Sequence, residues 1–220
     1  MMQSDSVDIT VYGLFWLLFG LLHSVMASEA FKGAWRRILG PFASFERLIF
    51  NGVSVFAIME VFSFARHNLA FVPFFQPIGM MKWSFLSIQG VGLMVLIWSF
   101  TAYDIWRFLG LKQIWAGLSK HRIGEEPMVF SLPHQFVRHP LYSGTLLIIW
   151  FRPMTEAMVI TNLFATLYLL IGLNWEEKRL LALYGASYRR YQQAVPALIP
   201  RWNRRWQPTA SSEQGSSDTK

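Results

Sequence analysis

The stretch Leu141–Asn174, LYSGTLLIIWFRPMTEAMVITNLFATLYLLIGLN, decides the fold. Its 34 residues are mostly apolar, and a membrane crossing needs only about 20. The run is broken at Arg152-Pro153. Proline lacks a backbone donor and clashes with the preceding turn. An arginine is costly in mid-membrane and tolerated at an interface. The stretch therefore reads as a hairpin: an arm ending near Phe151, a turn at Arg152-Pro153, and a return arm from Met154 to about Leu173. The first arm, Leu141–Phe151, rises only about 16 Å. It reaches the far surface only if His134–Pro140 already lies below the near one. Non-helical backbone at that depth needs protein or a watery cavity around it.

Working outward, Ile9–Ser28, Leu48–Ala65 and Trp83–Tyr103 are three further runs of crossing length. The start, Met1 to Thr10, carries Asp5 and Asp8 and no basic residue, so it reads as the approach to a retained span rather than a secretory signal. With five crossings, 17 of the 20 Lys and Arg residues fall on one side (segments 29–47, 104–139 and 174–220). Only Arg66, Lys82 and Arg152 fall on the other. Basic loops stay in the cytoplasm, which puts the N-terminus outside and the C-terminus inside. Counting the hairpin as one crossing would leave the eight basic residues of 174–220 on the wrong side.

Composition agrees. The chain is 53% hydrophobic, 16% aromatic and only 15% charged, against about 25% charged in soluble domains. The net charge of +7 lies between apolar runs, not on a soluble face, so nucleic acid is not expected as a partner. With no cysteine, disulfides, thiolate nucleophiles and Cys-ligated zinc are excluded, and no metal site is expected. Glu176–Val195 sets Leu180, Leu181, Leu183, Tyr184, Tyr188 and Tyr191 among charged neighbours, the pattern of an amphipathic helix on the cytoplasmic surface, ended by Pro196. The expectation is one all-α integral membrane domain over 1–206 with about five transmembrane helices, the last two forming a hairpin, and a disordered tail over 207–220.

Polar residues gather at the two ends of the hairpin: His134 to Gly144, and Asn174 to Arg179. Both ends of a hairpin face one side, so about 35 residues of separation becomes adjacency. Each residue has a plain account too. Arg138 and Tyr142 suit an interface, and Glu176 and Glu177 suit the positive start of a helix. The grouping favours a functional cluster. His23 and Glu60 lie within or near spans one and two, and interfacial placement is the preferred account of both. Asp104 and Arg107, three apart, read as a helical ion pair.

The string RHPLYSG at 138–144 resembles the RHPxYxG signature of the isoprenylcysteine carboxyl methyltransferase and phospholipid methyltransferase superfamily. EEKRLLALYGASYRRYQQAVPALIP at 176–200 resembles its companion motif. LLHSVMAS at 21–28 and YDIWRFLGLKQ at 103–113 are similar to the methanethiol S-methyltransferase and NnrU-like subgroup. The resemblance implies a membrane-embedded methyltransferase that takes S-adenosylmethionine at the cytoplasmic ends of the last helices. By position, His139, Pro140, Tyr142, Gly144, Glu176 and Glu177 would shape or contact the cofactor pocket, as would Arg138. Arg138 suits a carboxylate, a glutamate suits the ammonium or ribose hydroxyls, and Tyr142 suits adenine or the sulfonium. Transfer is an in-line displacement needing alignment and exclusion of water. His139, with Arg138 beside it, is the first candidate for a catalytic role and His134 the second; a structural His139 is equally open. A small thiol such as methanethiol is the favoured acceptor. A prenylcysteine carboxylate, a lipid amine, and a non-enzymatic NnrU-like accessory role are the alternatives. A small transporter fits less well, for want of an internal repeat.

Overall fold

The computed structural model describes residues 2–70, 72–101, 103–119, 132–201 and 206 of the chain, so the tail expected over 207–220 lies outside the described residues. The elements are α1 (Met2–Ala27), α2 (Glu29–Leu39), a 3₁₀ turn (Gly40–Phe45), α3 (Glu46–Asn68), α4 (Gly79–Phe100), α5 (Ile105–Leu109) and α6 (Leu111–Ser119). A second 3₁₀ turn (Leu132–Gln135), α7 (Pro140–Trp150) and α8 (Glu156–Ala194) follow. Among the described residues, α1, α4 and α8, and α3 together with its preceding turn, contain runs long and apolar enough to cross a membrane; α7 is a shorter apolar helix. Large apolar side chains cover the outside, among them Leu18 (63% exposed), Phe56 (65%) and Met80 (86%). So much exposed apolar surface calls for lipid rather than water.

The chain forms two compact units. The first comprises Met1–Phe75, Asp104–Glu125 and Met154–Phe164. Its core is Tyr12, Trp16, Val61, Ala65 and Ala157. Trp16 stacks on Phe164, with ring centroids 6.2 Å apart, and Phe15 stacks on Phe64 at 4.8 Å. Thr161 donates to Ala157 O at 2.8 Å, which leaves its oxygen to accept from Tyr12 OH at 2.8 Å. Asp104 is the residue just before α5. It caps α5 by accepting from Arg107 N at 3.1 Å and pairs with the Lys112 ammonium. A short carboxylate just before a helix satisfies an orphan backbone donor.

The second unit comprises Gln76–Tyr103, Glu126–Pro153 and Ala165–Lys220. In it α4 and α7 cross backbone to backbone. A Cβ on Gly144 would lie 2.7 Å from Gly92 O, and one on Gly92 would lie 2.9 Å from Gly144 O. Only two glycines allow so close an approach, the small-residue packing usual between membrane helices. Antiparallel pairing of α7 with α8 is fixed at both ends, by Trp150 Nε1 donating to Thr166 Oγ1 at 2.9 Å and Tyr142 OH donating to Glu176 at 3.2 Å.

The hairpin turn falls at 151–155, as Arg152-Pro153 predicts. The end of the return arm differs from expectation. α8 does not stop near Leu173 to restart at Glu176 as a separate surface helix; it runs on and breaks at Gly185, where φ is 52° and ψ −124°. Side chains rarely tolerate that backbone, and glycine does. Leu173–Glu176 contains no glycine or proline, so nothing there ends a helix that the preceding turns have already nucleated. Past Gly185, Tyr188, Tyr191 and Val195 are buried against Leu180, Leu181 and Tyr184.

Candidate active site

The site is built at the start of α7. Pro140 is the first helical residue, where its missing N–H costs nothing, and it is fully buried. Residues 138 and 139 precede it in non-helical backbone and bond to the chain beyond α8: Arg138 N donates to Pro196 O at 2.9 Å and His139 N to Ala197 O at 3.0 Å. Ser143 Oγ lies 2.6 Å from Leu198 O and 3.1 Å from His139 O. The stretch after the Gly185 break is thereby tied back to the hairpin mouth.

The charged side chains meet there. Arg138 Nε donates to Glu177 Oε1 at 2.6 Å. Its Nη1 donates to Gln192 O at 2.9 Å and to Val195 O. His139 Nε2 lies 3.1 Å from the same Glu177 oxygen, and Gln192 Nε2 donates to the other, Oε2, at 3.0 Å. Both oxygens of Glu177 are thus engaged inside the protein. Glu176 differs. Its Oε2 accepts from Tyr142 OH and lies 3.5 Å from His139 Nδ1, while Oε1 has no hydrogen bond among the described residues. The Glu176 side chain is 43% exposed, and that of Glu177 only 15%. The His139 and Tyr142 rings stack, with centroids 5.4 Å apart. His134 packs edge-on to Tyr103, and its carbonyl accepts from Tyr191 OH at 2.6 Å.

The two motifs expected to share a cavity do meet: Arg138, His139, Tyr142, Glu176 and Glu177 form one contiguous set. Gly144 turns toward Gly92 of α4, so its lack of a side chain is explained by that crossing. In the other unit, His23 sits against Phe50 beside a small hollow lined also by Phe19, Met26 and Ser54, and Glu60 is exposed. Gln192, Ser143 and the carbonyls at 192 and 195–198 were not foreseen. Only the bracketing prolines, Pro196 and Pro200, mark that stretch in the sequence as non-helical. Among the described residues, no cluster of three or more His, Cys, Asp or Glu is arranged to hold a metal ion.

Apolar helices of crossing length, with a carboxylate–imidazole–guanidinium cluster at the mouth of a helical hairpin, define a multi-pass helical membrane protein with a charged polar cluster. The chain is 32% identical over 206 residues to the methanethiol S-methyltransferase of Crocosphaera subtropica, covering 88% of this chain and 74% of that protein. It is 32% identical to methanethiol S-methyltransferase 2 of Bradyrhizobium diazoefficiens (84% and 70% covered) and 30% identical to the enzyme so named in Mycobacterium tuberculosis (90% and 79%). The chain belongs to the methanethiol S-methyltransferase family. No family model matches it, and no solved structure matches it significantly.

Proposed function

We propose that the chain transfers a methyl group from S-adenosylmethionine to methanethiol or a similarly small thiol, at the hairpin mouth, on the cytoplasmic side of a five-span protein whose N-terminus is outside. The observation that carries this reading is the meeting of RHPLYSG with Glu176-Glu177 in a chain whose relatives bear that name. The fifth crossing is α7, whose eleven residues suffice because 132–139 enter below the near surface.

The residues present suit the donor in kind. Glu176 offers an outward carboxylate oxygen for an ammonium or a ribose diol, and Tyr142 offers an aromatic face beside it for a cationic sulfur. When bound, the donor supplies an electrophilic methyl carbon on a sulfonium, which bonds to the acceptor sulfur as its bond to the sulfonium sulfur breaks. The acceptor reacts as the thiolate, its S–H proton already released to water, so the displacement itself requires no base. Arg138 is used differently from expectation: its Nε and Nη1 are spent on Glu177 and two carbonyls, so it serves as a positioning residue. Through Glu177 it fixes the His139 ring, which in turn faces Glu176. Wedged between two carboxylates and only 7% exposed, His139 orients the site.

The test uses purified chain in detergent. Glu176→Gln and Tyr142→Leu should each weaken S-adenosylmethionine binding, measured per folded molecule, by at least about tenfold, equal to about 1.4 kcal/mol. Radiolabelled methyl should appear in a volatile thioether. Undiminished binding in both variants removes the site. Label found only in lipid extracts moves the acceptor to another member of the class.

A further inference from the structure

Helix α6 in the first unit is built inside out for water. Its small residues face the protein: Ala116 is buried, and a Cβ on Gly117 would lie 2.5 Å from Ser44 Cβ in the first 3₁₀ turn. Its bulky apolar residues face out, with Trp115 68% and Leu118 74% exposed and Leu111 on the same face. A water-facing helix would reverse that arrangement. α2 shows a related pattern. Phe31, Ala34, Trp35 and Ile38 line one face, while Glu29, Lys32, Arg36 and Arg37 line the other. Ile38 is 77% exposed, and Phe42 in the following turn 65%.

Chain connectivity says what covers this surface. α2 begins two residues after α1 ends, and the 3₁₀ turn runs directly into α3. α1 and α3 both have crossing length. The link between them therefore lies at a membrane boundary, and the Gly117–Ser44 contact brings α6 to the same level. Nine residues rise about 14 Å, under half the roughly 30 Å hydrocarbon thickness, so α6 lies in the boundary rather than crossing it. Charge points the same way. In 29–47 and 104–119, Lys32, Arg36, Arg37, Arg47, Arg107 and Lys112 outnumber Glu29, Glu46 and Asp104. Each of those acids is engaged by a base of the same region: Glu29 by Lys32, Glu46 by Arg36, Asp104 by Lys112. The excess is positive, and it sits beside exposed aromatic and aliphatic side chains, the composition that holds a helix in an acidic leaflet.

We infer that α2, the 3₁₀ turn and α6 form an interfacial collar, seating Ile38, Phe42, Trp115 and Leu118 at the acyl boundary of one leaflet and gathering acidic phospholipid headgroups at its basic residues. The collar does not depend on the methyl-transfer reading. Because the chain has no cysteine, a single introduced one reports one place. Leu118→Cys and Arg37→Cys, each carrying a nitroxide, are reconstituted as full chains in phosphatidylcholine–phosphatidylglycerol bilayers. Collision rates are measured with oxygen, which enters hydrocarbon, and with a water-soluble nickel chelate. The position-118 label should favour oxygen over nickel several-fold more than the position-37 label. Equal nickel access at both sites overturns the collar, and so does exclusion of both reagents at 118, which would mean a protein cover such as a second copy. Spin-labelled phosphatidylglycerol should be retained against the protein more than spin-labelled phosphatidylcholine, and the preference should fall in Arg37→Gln and in high salt. No preference in the unaltered chain overturns the headgroup assignment.

Discussion

The aromatic cluster of the first unit and the charged cluster of the second are both buried, but opposite forces hold them. Around Tyr12 and Trp16, rings meet at 4.8–6.4 Å with little directional bonding. Around Glu177, donors reach two carboxylate oxygens at 2.6–3.1 Å, and Arg138 spans both a carboxylate and two carbonyls. In lipid the hydrophobic effect does little between helices, so the rings hold by shape and dispersion. Charged hydrogen bonds hold by direction, and they fix where an atom sits. The first kind of centre keeps a fold together; the second sets the positions of individual polar atoms.

The sharpest way to break this contrast is Arg138→Leu. It leaves Glu177 buried without its strongest partner, and about 3–5 kcal/mol of stability should go with it. The double variant Arg138→Leu/Glu177→Leu should regain much of that stability yet show no methyl transfer, as followed by denaturant unfolding alongside turnover. A double variant as unstable as the single one would mean the cluster is not a charge-balanced unit. Tyr12→Phe probes the other centre. It removes the bond to Thr161 and should cost about 1 kcal/mol, with turnover per folded molecule unchanged. A disproportionate loss of turnover would erase the distinction between the two centres.

Arg152-Pro153 makes the hairpin legible from sequence because a proline and a charge interrupt an apolar run at the right length. The meeting of Arg138 and His139 with the twin glutamates follows from that hairpin alone. Other features leave weaker traces. Gly92 is one glycine among several in the α4 region, and only the partner across the crossing distinguishes it. The long continuation of α8 past Leu173 was hidden because charge content looks the same on a surface helix and on the wet end of a crossing helix. The difference between Glu176 and Glu177 was equally hidden. It depends on Gln192, fifteen residues on and beyond a bend at Gly185 that composition does not reveal. Short elements such as α6 fall below the length at which hydropathy speaks, so their outward faces show only in three dimensions.

The backbone tie from Pro196, Ala197 and Leu198 to the mouth of α7 has a consequence for biosynthesis. The described apolar helices all precede those three carbonyls in the chain, so they are synthesised first. A nascent chain stalled at Ala194 would already hold those helices, but the amides of Arg138 and His139 would have no acceptor from 196–198. The hairpin mouth is thus tied down only after the helices that form it have been made.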